Sequence, residues 1–182
     1  MHLHEHQAKR VFADYGIPVP AGRVLDSTAL VPAAVNELGG NAWVVKAQVH
    51  AGGRGQGGGV RLVNSVSELE EVVNDLLGSR LVTRQTGPHG LPVNAVLVEE
   101  TVALAHEYYL GMLVDRTRER IAIMASAAGG MDIETVAAED PAAIHTEIVV
   151  PASGLQPFQC RNLAFALGLE GRQIAAFGHL LR

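Results

Sequence analysis

The stretch Trp43-Val44-Val45-Lys46-Ala47-Gln48-Val49-His50-Ala51-Gly52-Gly53-Arg54-Gly55-Gln56-Gly57-Gly58-Gly59 runs from a β-rich apolar segment into six glycines in eight positions. A second apolar segment, Val60-Arg61-Leu62-Val63, follows. Strand, glycine-rich turn and strand together predict a hairpin flap. Glycine lets the backbone take positive φ and lets another group come close. Successive backbone N–H groups in such a turn form a concave nest for an anion. Lys46 and Arg54 bracket the loop with positive charge, a combination that suits the polyphosphate of a nucleotide. The stretch is not a P-loop, because it lacks the Gly-Lys-Ser/Thr ending and leads into a strand rather than a helix. The competing reading of the same residues is a floppy glycine-rich surface loop.

The rest of the composition narrows the classes. With 182 residues the chain has room for one domain or two small lobes. A net charge of −5 gives no basic field for nucleic acid, and 4% aromatic residues leave little surface on which bases could stack. The single cysteine, Cys160, excludes an internal disulfide framework and reads as a packing residue. No apolar run reaches the roughly 18 residues of a membrane span. The polar start Met1-His2-Leu3-His4-Glu5-His6-Gln7 does not read as a signal peptide, so a cytoplasmic protein is expected. His2, His4 and His6 raise the question of a metal. On a helix only His2 and His6 share a face, and two ligands make a poor site. A solvated helix start is expected instead.

Ala8, Val11, Phe12 and Tyr15 fall at helical spacing, Gly16 stops the helix, and Ile17-Pro18-Val19-Pro20 is an extended connector and candidate lobe boundary. A second helix is predicted over 28–38, capped by Ser27 or Asp26 and stopped by Gly39-Gly40. Ser65-Val66-Ser67-Glu68 reads as a capping box for a helix that carries Leu69, Val72, Val73, Leu76 and Leu77 on one face. Leu81-Val82-Thr83 and the returning Val93 to Val98 read as strands around a turn. Further strands are expected over 107–114, 120–125 and 146–150, with closing helices over 159–167 and about 170–182. The last helix is still periodic at Phe177, Leu180 and Leu181 and has no closing glycine, which leads us to expect a piece of a longer protein.

Several strings, in order, resemble one family. They are Leu3-His4-Glu5-His6-Gln7-Ala8-Lys9, Gly16-Ile17-Pro18-Val19-Pro20, the 43–55 stretch, Leu81-Val82-Thr83-Arg84-Gln85-Thr86, Glu107-Tyr108-Tyr109-Leu110-Gly111, Val114-Asp115-Arg116, Ser126-Ala127-Ala128-Gly129-Gly130-Met131-Asp132-Ile133-Glu134 and Leu163-Ala164-Phe165-Ala166-Leu167-Gly168-Leu169. The chain resembles, over essentially its whole length, the start of the β subunit of succinate–CoA ligase. The resemblance implies an α/β (α+β) ATP-grasp fold, two lobes clamping a nucleotide, with the chain ending before the fold does. Residues 21–101 would form the small lobe with its flap, and residues 1–20 with 102–182 an incomplete larger lobe.

It also implies the chemistry. The family is an acid–thiol ligase of the tricarboxylic acid cycle. It forms succinyl-CoA from succinate and CoA with nucleotide hydrolysis, reversibly, through a phosphohistidine on a partner α subunit in a heterodimer or heterotetramer. Carried over by position, Lys46 contacts nucleotide phosphates, and Gly53, Arg54 and Gly55 form the covering flap. Glu99 and Val102 lie against the base, mainly through backbone groups, and Glu107 accepts the ribose hydroxyls. Pro20 offers no donor to a guanine carbonyl, which favours ATP/ADP over GTP/GDP. The family's Mg²⁺ ligands would lie beyond residue 182, so neither a metal site nor a catalytic residue is expected in this stretch, and alone it is expected to be inactive. Gln56 stands where many relatives carry lysine and removes one positive charge from the flap. A malate–CoA ligase subunit, or a nucleotide-binding module without catalysis, are the alternatives.

Overall fold

Along β2 (Trp43–Ala47), Trp43, Val45 and Ala47 are buried on one face while Val44 and Lys46 point to the other, the period-two alternation of a strand. Its antiparallel partners are β3 (Val60–Val63), reached through the glycine loop, and β6 (Val96–Glu100). With β1 (Gly22–Leu25) they form an antiparallel sheet in the order β1-β6-β2-β3. The Trp43 face packs on α2 (Val31–Leu38) and α3 (Val66–Leu76). Leu25, Val31, Ala34, Val63, Leu69, Val73 and Val98 complete that core. Full burial of a side chain of Val or Leu size contributes about 1.5–3 kcal/mol.

The helix signals act as expected. Ser27 Oγ accepts the Ala29 N–H at 3.3 Å in the 3-10 turn before α2. Ser65 Oγ accepts the Glu68 N–H at 3.2 Å, starting α3. The Glu68 carboxylate reaches one residue past the capping-box position and accepts the Asn64 N–H at 2.7 Å.

Two details differ from the sequence expectation. Leu81-Val82-Thr83 shrinks to β4 (Arg80–Leu81), which among the described residues pairs only with β5 (Leu91–Pro92). The strand expected to return onto it runs instead between β1 and β2, the centre of the larger sheet. Its residues Val96, Leu97 and Val98 are buried on both faces, and a central position satisfies that better than a small hairpin does. In addition, α1 (Glu5–Asp14) buries none of its residues fully, and its apolar stripe faces outward, with Phe12 48% and Tyr15 84% exposed.

The structure, a computed structural model, describes residues 2–182. They form two units, one up to Ala103 and one over Leu104–Arg182. Within the first unit, Glu5 and Lys9 of α1 form ion pairs with Lys46, Arg54 and Glu99.

In the second unit β7 (Tyr109–Asp115), β8 (Arg120–Ser126) and β9 (His145–Val149) form an antiparallel sheet in that order. Asp115 Oδ1 accepts the N–H groups of Thr117 and Arg118, both at 3.0 Å, and turns the β7–β8 connection. A short helix, α4 (Ile133–Glu139), precedes β9. Ile123, Ala125 and Val149 pack on α5 (Pro157–Ala166) and α6 (Arg172–Leu180) through Leu163, Ala164 and Phe177. Cys160 is buried in α5 and free. Trp43 and Ile121 lie in separate sheets.

Candidate functional site

The glycine loop closes largely on itself. Gly57, Gly58 and Gly59 donate to the carbonyls of Gly53, Gly55 and Arg54 at 3.1, 3.2 and 2.8 Å, and Gly52 N–H donates to Gln85 Oε1 at 2.7 Å. Among the described residues the N–H groups of Gly53, Arg54, Gly55 and Gln56 carry no such bond. These four consecutive donors are the part of the loop with capacity for an anion. Arg54 is not a loose surface charge. Its Nη1 donates to the Ala47 carbonyl at 2.8 Å and its Nη2 to Glu5 Oε2 at 2.5 Å.

Lys46 and Glu99 meet because of strand register. Val44 is opposite Glu99 and Lys46 opposite Leu97, so all four share the face of the sheet away from the Trp43 core. Lys46 Nζ lies 2.6 Å from Glu99 Oε2 and 3.2 Å from Glu5 Oε1. Lys9 Nζ bonds Glu99 Oε1 and lies 3.2 Å from Glu5 Oε1. Glu99 is 2% exposed and opposite Gly22 on β1, where a Cβ would lie 2.8 Å from the Glu99 Cγ. A glycine at that position leaves the Glu99 side chain its path. The cluster holds three cations, Lys9, Lys46 and Arg54, to two carboxylates, Glu5 and Glu99, and so favours one further anion.

Beside it, a cleft of about 460 Å³ opens between α1 and the β1–β6 pair, lined among others by Lys9, Val19, Pro20, Val24, Leu97 and Glu99. Val102 lies past the end of β6 and is 52% exposed. Glu107 belongs to the second unit, where it packs against Gly129-Gly130.

Glu5, Lys9 and Gln48 were not singled out by the sequence. Gln48 is buried, donates to the Lys46 carbonyl at 3.0 Å and accepts the His6 N–H at 3.1 Å, so it ties the start of α1 to the end of β2. The histidine-rich start is partly solvated, with His2 exposed and His4 and His6 half-buried. The His4 ring stacks on His50 with centroids 3.9 Å apart and lies 5.7 Å from His6. Burial, then the nearby His50, His6 and Arg54, lower the His4 pKa. Among the described residues no three His, Cys, Asp or Glu side chains converge on a point that could hold a metal.

Burial raises the Glu5 pKa, but the hydrogen bond and charge of Arg54, with Lys46 and Lys9, outweigh it and pull the group to about 2. Burial likewise opposes the charge on Lys46, and bonding to Glu99 with the charges of Glu5 and Glu99 raises its pKa overall. Both ends of the Lys46–Glu5 contact are therefore ionised at neutral pH. The folded Glu5 titrates below its unfolded counterpart. Its contribution to stability is complete above about pH 4.5 and is lost as pH falls from there toward 2. Thermal unfolding followed across that window should show the parent losing about 2 kcal/mol more than Glu5→Gln, a figure discounted for the group's partial exposure. Parallel pH curves would contradict it.

The ATP-grasp domain model matches residues 2–182. The chain belongs to the ATP-grasp family. Membership implies nucleotide binding. This ATP-grasp chain is 61% identical over 181 residues to the succinate–CoA ligase [ADP-forming] subunit beta of Thioalkalivibrio sulfidiphilus, covering 100% of this chain and 47% of the relative. It is 55% identical over 182 residues to the subunit of the same name from Halorhodospira halophila, covering 100% of this chain and 46% of that protein. The chain thus spans about half the length of the curated relatives it matches. Both names specify succinate rather than malate. Among solved structures, the dinucleotide-forming acetyl-coenzyme A synthetase 1 of Ca. Korarchaeum cryptofilum, in complex with coenzyme A, Ca-AMPCP and HgCl+, superposes with a TM-score of 0.69. That match covers 98% of this ATP-grasp chain and 76% of the other, and at 22% identity it supports the fold alone. No helix among the described residues is long and apolar enough to cross a membrane.

Proposed function

We propose that this chain is the nucleotide-binding part of a cytoplasmic succinate–CoA ligase β subunit. The complete protein would form succinyl-CoA from succinate and CoA, with ATP converted to ADP and phosphate, in company with an α subunit that carries the phosphohistidine. The observation that carries the proposal is the meeting of Lys46 and Arg54, one at the end of β2 and one in the flap, on a single carboxylate in a cluster with surplus positive charge. Nucleotide phosphates would take up that charge. Phosphoryl transfer rests on such positioning and neutralisation more than on covalent work by side chains.

Glu99 and Val102 are proposed to lie against the base, and Glu107 to accept the ribose hydroxyls. Adenine is the proposed base because Pro20, which lines the cleft beside Glu99, has neither an N–H nor a side-chain donor for a guanine carbonyl. Magnesium would be held by ligands outside these residues.

The test is a coupled assay of the natural-length protein with its α partner. Succinate- and CoA-dependent ADP formation, faster with ATP than with GTP, is the expected result. Turnover that ignores succinate would overturn the substrate, and preference for GTP would overturn the base. Residues 1–182 alone, with the α subunit added, should show no turnover above a protein-free control.

A further inference from the structure

We infer that the Glu5 carboxylate occupies the place of a nucleotide phosphate group and latches the glycine flap until nucleotide displaces it. The inference rests on the nucleotide reading given above. Glu5 is the one carboxylate, among the described residues, that touches both Lys46 and Arg54. Their other partners are separate: Lys46 also meets Glu99, and Arg54 also donates to the Ala47 carbonyl. A phosphate that bound both cations at once would need the position that Glu5 fills, while the Glu99 and Ala47 contacts could persist.

The chemistry of the two groups matches. A planar carboxylate and a tetrahedral phosphate are both anions whose oxygens accept charge-assisted hydrogen bonds from guanidinium and ammonium groups. Glu5 stays ionised at neutral pH, held there by Arg54, Lys46 and Lys9 against its burial. It is also the first residue of α1, where the helix dipole favours a negative charge.

The latch has a mechanical side. Arg54 is the only flap side chain, among the described residues, with an ion pair outside the flap. Through it the middle of the loop is pinned to α1, and α1 is pinned in turn to β2 by the His6–Gln48 bond. When phosphate takes over Arg54 and Lys46, Glu5 retains Lys9 on its own helix, one turn away, and is not left as an unpaired charge. That fallback partner makes the exchange feasible at low cost. Glu5 is thus a positioning residue and an internal competitor.

The experiment is calorimetric titration of Mg-free ADP into the natural-length protein and its Glu5→Gln and Lys46→Ala variants, at fixed ionic strength. It is joined by hydrogen exchange of the amides over 52–59. Glu5→Gln should bind ADP about fivefold more tightly, the scale of one partly exposed ion pair removed from competition. Its flap amides should exchange faster than the parent's before ADP is added, and at the parent's rate afterwards. Equal or weaker ADP binding by Glu5→Gln, while Lys46→Ala is weakened, would overturn the latch and leave the nucleotide reading standing. Unchanged binding by Lys46→Ala would overturn the nucleotide reading itself. Should Glu5→Gln fail to fold, carbodiimide labelling of Glu5 in the parent decides: ADP should raise it if Glu5 is displaced, and an unchanged or lowered yield would refute displacement.

Discussion

Lys46→Ala is expected to weaken ADP binding about ten- to a hundredfold, the loss of one charge-assisted hydrogen bond worth about 1.5–3 kcal/mol. Lys46 is the penultimate residue of β2, just before the flap, and its ammonium is drawn onto the Glu5–Glu99 pair. Arg23→Ala is the matched control. Arg23 pairs with Glu37, an exposed contact on the other side of β1 from Glu99's neighbourhood, so its loss should change affinity little. Removing Lys46 leaves Glu99 with Lys9, so the buried carboxylate keeps a partner and the variant should fold. Calorimetry of all three proteins at one salt concentration reads the effect, because phosphate contacts are screened by salt. Equal dissociation constants for parent and Lys46→Ala would remove Lys46 from the site.

Gly129→Ala should cost the second unit about 3 kcal/mol or more of stability. A Cβ at Gly129 would lie 2.2 Å from the Glu107 carbonyl carbon, 2.4 Å from its oxygen and 2.5 Å from the Tyr108 N. All three are backbone atoms at the entry to β7, which cannot rotate aside as a side chain does. Overpacking of that kind commonly costs 1–3 kcal/mol, and a clash with backbone stands at the upper end. The effect also reaches a proposed site residue, because any relaxation must move Glu107. Gly55→Ala is the control: nothing lies within 4 Å of its Cβ position, and its φ is not positive. Denaturant unfolding followed by a probe in the second unit should separate the two variants clearly. Equal midpoints for both would show that the Glu107 backbone yields at little cost.

What was legible in the sequence was local. Ser65 and Glu68 announced the start of α3, and the Leu69, Val73, Leu76 face went where its spacing said. The β2–β3 hairpin, the glycine flap and the three strands of the second unit were read from alternation and turn residues. Lys46, Arg54 and Glu99, picked out separately, come together in space. The misses are long-range. β1 is four residues long and contains a glycine and an arginine, too little for a periodic signal. The central place of β6 depends on pairing with strands about 50 and 75 residues earlier, which no window covers. Glu5 and Lys9 meet partners 41 to 90 residues away. One signal was available: Glu5 and Lys9 stand at i and i+4 beside an apolar stripe, and α1 turns that charged side toward the sheet while Phe12 and Tyr15 stay outside.

The strand order also says something about how the molecule comes into being. β1 and β2 are not neighbours, and β6, the last strand of the first unit to be synthesised, lies between them. Until residues 96–100 leave the ribosome, β1 has no partner strand and β2 has only its hairpin. Such non-local pairing is slow, since the closure entropy of a long loop comes before any contact is gained. Glu99 arrives on that same strand, so Lys9 and Lys46 lack their buried counter-charge until the sheet is complete. The charged cluster and the fold of the first unit are therefore completed in one event. Nascent chains halted before residue 96 should hold, of the strand pairings, only the local ones β2–β3 and β4–β5, with no affinity for nucleotide.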